Sequence, residues 1–231
     1  MQISGNLIMG EVICRYKSLL LDVRLENGEK VTAFCGSIYL GTKCSAGTKV
    51  YIRHRAKPQR VVKYELVFID SSQGLIWADP SCNGNLFYES WQKGKINELS
   101  SFSKCQRIKG NTYGRHIDFE LTSLRGDKGV ISVVSIYGRN GNQAVFPSRI
   151  SFFELEMFEE FARLRAKGIR TFLLMISPYN HMNEAKFSWA IDPVAAAKIF
   201  EQAKNGLEFI CYGCKVAKND VTISNRLNIL Y

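Results

Sequence analysis

Between Leu7 and about Trp77 the apolar residues come in short runs that alternate with polar ones and are separated by turn chemistry. NLIMGEVICRY, LLLDVRL, VTAF, KVYIRHR and YELVFI read as strands, with Glu26-Asn27-Gly28-Glu29 as a hairpin turn. Five or six strands in about 70 residues, with almost no helical period, predict a small closed barrel of the OB or SH3-like type. After Asp79-Pro80 the texture changes. LFYESWQKG reads as a short helix stopped by Gly94. CQRIKG, HIDFELTSL and GVISVVSIYG read as strands, the last apolar enough to be buried on both faces. Ser151 and Glu154 form a capping box for FFELEMFEEFARLRAK, whose Phe152, Leu155, Phe158, Phe161 and Leu164 make one apolar stripe ended by Gly168. IRTFLLMIS is a further buried strand. Asp192-Pro193 opens the helix PVAAAKIFEQAK, Asn205-Gly206 closes it, and LEFICYGCKV follows as a strand. The pattern predicts an α/β (α+β) chain in two parts: a barrel over residues 1–80 and an α/β unit with a mixed sheet over 81–231.

Charge narrows the partner. Lys and Arg number 31 against 21 Asp and Glu, a formal charge of +10, which favours a polyanion such as nucleic acid or an anionic membrane surface. The N-terminal stretch has neither a basic head nor a long apolar core, so no secretory signal is expected, and no run of about 18 apolar residues predicts a spanning helix. Seven scattered cysteines suit reduced thiols and a cytoplasmic location. Cys211 and Cys214 form a CxxC, yet no second pair or spaced His completes a zinc site, and the pair lies in a predicted strand rather than at a helix start; packing thiols are the expectation. His54, His116 and His181 belong to no triad or metal motif. Gly138 to Asn142 (GRNGN) reads as a turn and lacks the order of a phosphate-binding loop, so no nucleotide cofactor is expected.

Two constellations carry chemistry. The first is KVYIRHRAKPQRVVK, with Lys49, Arg53, Arg55, Lys57, Arg60 and Lys63 and no acidic residue before Glu65. On a strand, Arg53 and Arg55 project to one face. Arg15 and Lys17 form a second such pair, with Tyr16 and Tyr51 as stacking groups. Six phosphate contacts would give log K against log salt a slope of roughly −4 to −5; a barrel edge guarded by positive charge is the structural alternative. The second is Asp118 in HIDFEL, a carboxylate placed at the centre of a predicted strand. Metal-dependent phosphodiester cleavage needs such an Asp, a Glu-x-Lys on the next strand and a Glu from a preceding helix. Here the first strand qualifies and the second, ISVVSIYG, does not.

RYKSLLLDV, VTAFC, KPQR, GKINEL, HIDF, AVFPSRIS, GIRTFLLMI and AIDPVAAAKIFEQAKNGLEFICY stand in an order and spacing that resembles the sugar fermentation stimulation protein A (SfsA) family over nearly the whole chain. The resemblance implies an OB-like N-terminal domain, a C-terminal domain similar to the PD-(D/E)XK nucleases, and a DNA-binding role. Asp118 matches the family's Asp, although His116 replaces the preceding Arg, and Glu89 matches a helix Glu near the metal site. The family's Glu-Val-Lys falls on Ser132, Val133 and Val134; its FPDA becomes Phe146-Pro147-Ser148-Arg149; its Arg-Gly-x-Lys-His becomes Phe153 to Met157; and its Asn-Thr-Gly becomes Ser37-Ile38-Tyr39. With Asp118 and Glu89 as remnants of a catalytic site and Asp118 as a lone metal ligand, no cofactor is expected. Three readings stay open: a nucleic-acid-binding, regulatory protein with a degenerate nuclease site; a Mg²⁺- or Mn²⁺-dependent nuclease in which Glu120, Glu154 or Glu156 supplies a displaced carboxylate; and a protein-interaction module whose charge aids solubility.

Overall fold

The computed structural model describes residues 1–56, 62–110, 113, 116–146 and 152–230, and for 42 and 152–155 the backbone alone. The sequence candidates Lys57 and Arg60, the Ser151–Glu154 capping box, the side chains of Phe152 and Leu155, and Pro147-Ser148-Arg149 lie outside the described residues. Contacts divide the chain into two units. The first holds residues 1–82, 178–181 and 214–222; the second holds 83–177, 182–213 and 223–231.

Six strands make the first unit: β1 (Ile8–Tyr16), β2 (Leu20–Leu25), β3 (Lys30–Phe34), β4 (Lys49–His54), β5 (Tyr64–Ser71) and β6 (Gly74–Trp77). They run in the order β3-β2-β1-β4-β5-β6, and a parallel pairing of β3 with β5 closes five of them into a barrel. A 3-10 segment, Ile38–Cys44, links β3 to β4. This is the OB-like alternative of the two barrels expected. Alternation supplies the core: Leu21, Val23 and Leu25 of β2 point inward with Ala33, Val50, Ile52, Leu66 and Phe68. Gly10 belongs to both ladders of β1, with β2 and with β4. A Cβ there would lie 2.5 Å from Val23 Cγ1 and 2.8 Å from the Arg24 carbonyl, so the strand crosses between partners only as glycine. The Asn27-Gly28 turn forms as its residues dictate: Gly28 takes φ 84° and the Asn27 side-chain oxygen accepts from the Glu29 N–H at 3.0 Å.

The second unit opens with α1 (Asn83–Gln92), followed by β7 (Phe102–Arg107), β8 (Phe119–Ser123), β9 (Lys128–Ser135), β10 (Gly138–Asn140) and β11 (Gln143–Phe146). Then come α2 (Phe152–Arg165), β12 (Arg170–Ser177), β13 (Glu184–Phe187), α3 (Pro193–Lys204), β14 (Leu207–Ala217) and β15 (Asp220–Arg226), of which residues 214–217 and 220–222 count with the first unit, and β16 (Asn228–Leu230). The larger sheet runs β15-β14-β12-β9-β8-β7. Its β7, β8 and β9 are antiparallel, whereas β9, β12 and β14 are parallel. The apolar run of β9 is buried from Gly129 to Val133, as a strand covered on both faces requires. Helix ends follow their signals: Asp192 accepts from the Ala195 N–H at 2.9 Å, and Gly168 takes φ 75° after α2.

Three readings of the sequence are corrected here. A second sheet, β10-β11-β13-β16, exists that no pattern announced. Residues 138–142 are not one turn: Gly138–Asn140 is a strand paired with β11, and a Cβ on Gly138 would lie 2.1 Å from the Val145 carbonyl oxygen. Strand β8 begins at Phe119, so Asp118 precedes it rather than standing at its centre. No described helix is long and apolar enough to cross a membrane.

Candidate functional site

Asp118 is held by the sheet it introduces. Its N–H donates to the Ile131 carbonyl at 3.0 Å, its carbonyl accepts from Ile108 at 2.9 Å, and its carboxylate Oδ2 accepts from the Val133 N–H at 2.7 Å. The side chain thus takes the ladder position that a strand carbonyl would fill, which is the physical reason β8 starts one residue later. Crowding by protein pushes the carboxyl above the ordinary Asp range, offset by the Val133 N–H and by the charges of Arg107 and His116. The residue still presents an exposed surface.

The groups around it come from three elements. Ser132 on β9 is buried and its hydroxyl donates to the His116 carbonyl. His116 Nε2 lies 3.2 Å from Glu156 Oε2 on α2, and Glu160, one turn on, accepts from the His116 N–H at 3.3 Å. Arg107, at the end of β7, donates to Asn85 Oδ1 at 2.8 Å and lies 5.0 Å over the Phe119 ring. Arg107 and Glu160 went unnoticed in the sequence, although the alternation of CQR and the i, i+4 spacing from Glu156 place each on a definable face.

Two other candidate ligands, Glu89 and Glu120, are engaged elsewhere. Glu89 on α1 pairs with Lys93, which holds its carboxyl below the usual range. Glu120 bonds Lys128 and the Tyr113 hydroxyl, and this contact pushes the Tyr113 pKa up to about 12. Glu154 has no described side chain. Among the described residues, no group of three or more His, Cys, Asp or Glu is arranged to hold a metal ion. At position 132 a neutral hydroxyl, already donating to a carbonyl, stands beside Asp118. This donor set does not fit a divalent cation that takes several anionic oxygens.

The basic residues of the barrel are placed very differently from one another. Arg53 is nearly buried between two carboxylates, Glu65 Oε1 and Asp79 Oδ2, each at 2.7 Å. Arg55 follows β4, with its guanidinium 4.9 Å from the Phe34 ring centre and Nε 3.9 Å from Glu65 Oε2. Arg15 donates to the carbonyls of Ser18, Ser37, Ile38 and Gly41. Lys17 lies in the β1–β2 turn at φ 48°, outside the strand, so Arg15 and Lys17 do not form a same-face strand pair. Lys49 and Lys63 are exposed, and Lys49 sits opposite Glu11 and Asp70 in the two ladders. Tyr51 is buried beneath Lys218, 4.5 Å away, and Tyr16 donates to Asp22 Oδ1 at 3.1 Å. Cys211 and Cys214 are both buried, with burial pushing the Cys211 thiol up to about 12. Lys and Arg exceed Asp and Glu by five in each unit, 13 against 8 in the first and 18 against 13 in the second.

Residues 81–220 match the family model described as the sugar fermentation stimulation protein RE domain. A sugar fermentation stimulation protein homolog of Maricaulis maris is 27% identical over 99% of this chain and 98% of its own length. One from Pseudoalteromonas atlantica is 26% identical over the whole of both chains. Among solved structures, Pyrococcus furiosus SfsA in complex with Ca²⁺ is similar with a TM-score of 0.87 and 19% identity, over 100% of this chain and 98% of that one. That likeness agrees with an OB-like barrel and a nuclease-like α/β unit in a single chain.

Proposed function

Because the chain belongs to the sugar fermentation stimulation protein family, we propose that it is a cytosolic, nucleic-acid-binding protein, with DNA as its partner, that regulates rather than cleaves. One observation carries the second half of this reading. Ser132 occupies the position where the family resemblance puts a metal-bridging Glu, and its hydroxyl is spent on the His116 carbonyl. Val134 stands where the lysine would be, so neither a second anionic ligand nor a cation for developing charge is supplied. The excess of positive charge supports the first half, since phosphate contacts draw on it without needing a base-specific site. With Arg53 and Arg15 engaged internally, fewer barrel cations reach phosphate than the six first counted. The test is a fluorescence titration with labelled DNA across salt. Binding at about 50 mM salt with a slope of log K against log salt shallower than about −4 agrees with the reading, and no binding at that salt overturns it.

A second reading has one observation in its favour. Glu156 and Glu160 gather at His116, next to Asp118, and the Pyrococcus furiosus relative was solved with Ca²⁺. Here α2 would lend the missing carboxylate. Calorimetric titration with Mn²⁺ decides between the two: heat of binding that disappears in Glu156→Gln favours the displaced-ligand nuclease, and no binding heat favours the degenerate site.

A further inference from the structure

The barrel carries a cavity of about 370 Å³ bounded by Phe34, Arg55, Glu65, Leu66, Pro80 and Ser81. Its volume falls in the lower part of the roughly 300–1,000 Å³ span of small-ligand sites. Strand closure builds it: the parallel register of β3 with β5 sets Phe34 beside Glu65, while the antiparallel register of β4 with β5 sets Arg53 opposite Glu65. Glu65 therefore faces two arginines and divides its oxygens between them. Oε1 accepts from Arg53 Nε at 2.7 Å, whereas Oε2 lies 3.9 Å from Arg55 Nε, beyond hydrogen-bond reach. Asp79, on the same wall, is fully engaged by Arg53, Ser81 and Cys82.

Among the described residues, no hydrogen bond reaches the side-chain nitrogens of Arg55 or Oε2 of Glu65. The cavity thus presents an open fork of donors next to an open acceptor, above an apolar floor of Phe34, buried Leu66 and Pro80. Two arginines balance two carboxylates here, so the cavity offers no net charge to trap a phosphate. A flat, uncharged group with an N–H beside a carbonyl or ring nitrogen complements it. The Arg55 guanidinium lies over the Phe34 ring, 4.9 Å from its centre, and such a planar cation is a surface on which nucleobases stack.

We propose that this cavity holds one unpaired nucleobase, stacked on Arg55 and hydrogen-bonded to Arg55 and Glu65. The inference rests on the nucleic-acid-binding reading above and names its substrate class as single-stranded nucleic acid, because a base in a duplex has its pairing edge occupied.

The experiment uses the full chain at about 50 mM salt, with a labelled 12-mer single strand and a hairpin duplex as probes. Arg55→Lys keeps the charge but removes the plane, and Phe34→Leu removes the ring beneath it; circular dichroism confirms that each variant folds. The native protein is expected to prefer the single strand. Each variant is expected to lose about tenfold or more of its single-strand affinity while duplex affinity stays within about twofold. If both probes weaken equally, or Arg55→Lys binds the single strand like the native protein, the base pocket is overturned while the nucleic-acid reading stands. If neither probe binds the native protein, that reading itself falls.

Discussion

Arg53 and Asp118 show how one side chain's surroundings decide what it does. Arg53 sits between two carboxylates on adjacent elements and is 12% exposed, so truncating it would deprive half-buried Glu65 and buried Asp79 of the cation they share. Arg53→Met is expected to cost about 3–5 kcal/mol in urea denaturation. A residue whose role was to meet phosphate would cost almost nothing there. At Asp118 the sign of a pH effect follows from its raised carboxyl. The folded protein keeps that proton to a higher pH than the unfolded chain does. Its contribution to stability is therefore complete below the ordinary Asp range and is lost as pH rises through the raised value. Asp118→Asn removes the dependence, so its stability relative to the native protein is expected to grow as pH climbs from below the carboxylate range to above it. Thermal melts across that interval check the trend, and a flat or falling difference would argue against a raised carboxyl.

At the level of elements, local rules placed most of what forms. Asp192 caps α3, and Asp192→Ala is expected to lower stability by about 1 kcal/mol through the loss of the bond to the Ala195 N–H, as read by chemical denaturation. The alternation in β2 and the Asn27-Gly28 turn were legible because period-2 patterning and left-handed glycine are local properties. Strands β10, β13 and β16 were not, since three or four residues carry too little period to separate from loop. The start of β8 is not legible in the sequence because a side chain, Asp118, takes over a ladder bond, and that substitution depends on the neighbouring strand. The candidate site was legible in part. Asp118 stood out by its type in an apolar setting, and the resemblance pointed to position 132. The engagement of Arg53 did not show, because its partners lie 12 and 26 residues away and come together only when the barrel closes.

For the molecule as a whole, charge and site chemistry lead in one direction. The positive excess divides evenly between the two units, so the proposed binding to a polyanion draws on the whole chain rather than on one segment of β4. Electrostatic binding of this sort makes no demand on a metal, while cleavage demands ligands that Ser132 and Val134 do not provide. Of the eight basic residues singled out in the barrel, Lys17, Lys49 and Lys63 are the exposed ones among those described, whereas Arg15 and Arg53 hold the fold together. The most direct test of the central claim is to saturate labelled DNA with protein at low salt in the presence of Mn²⁺ and follow strand length over time. Bound but intact DNA is the expected result, and cleavage that vanishes in Asp118→Ala would contradict the account.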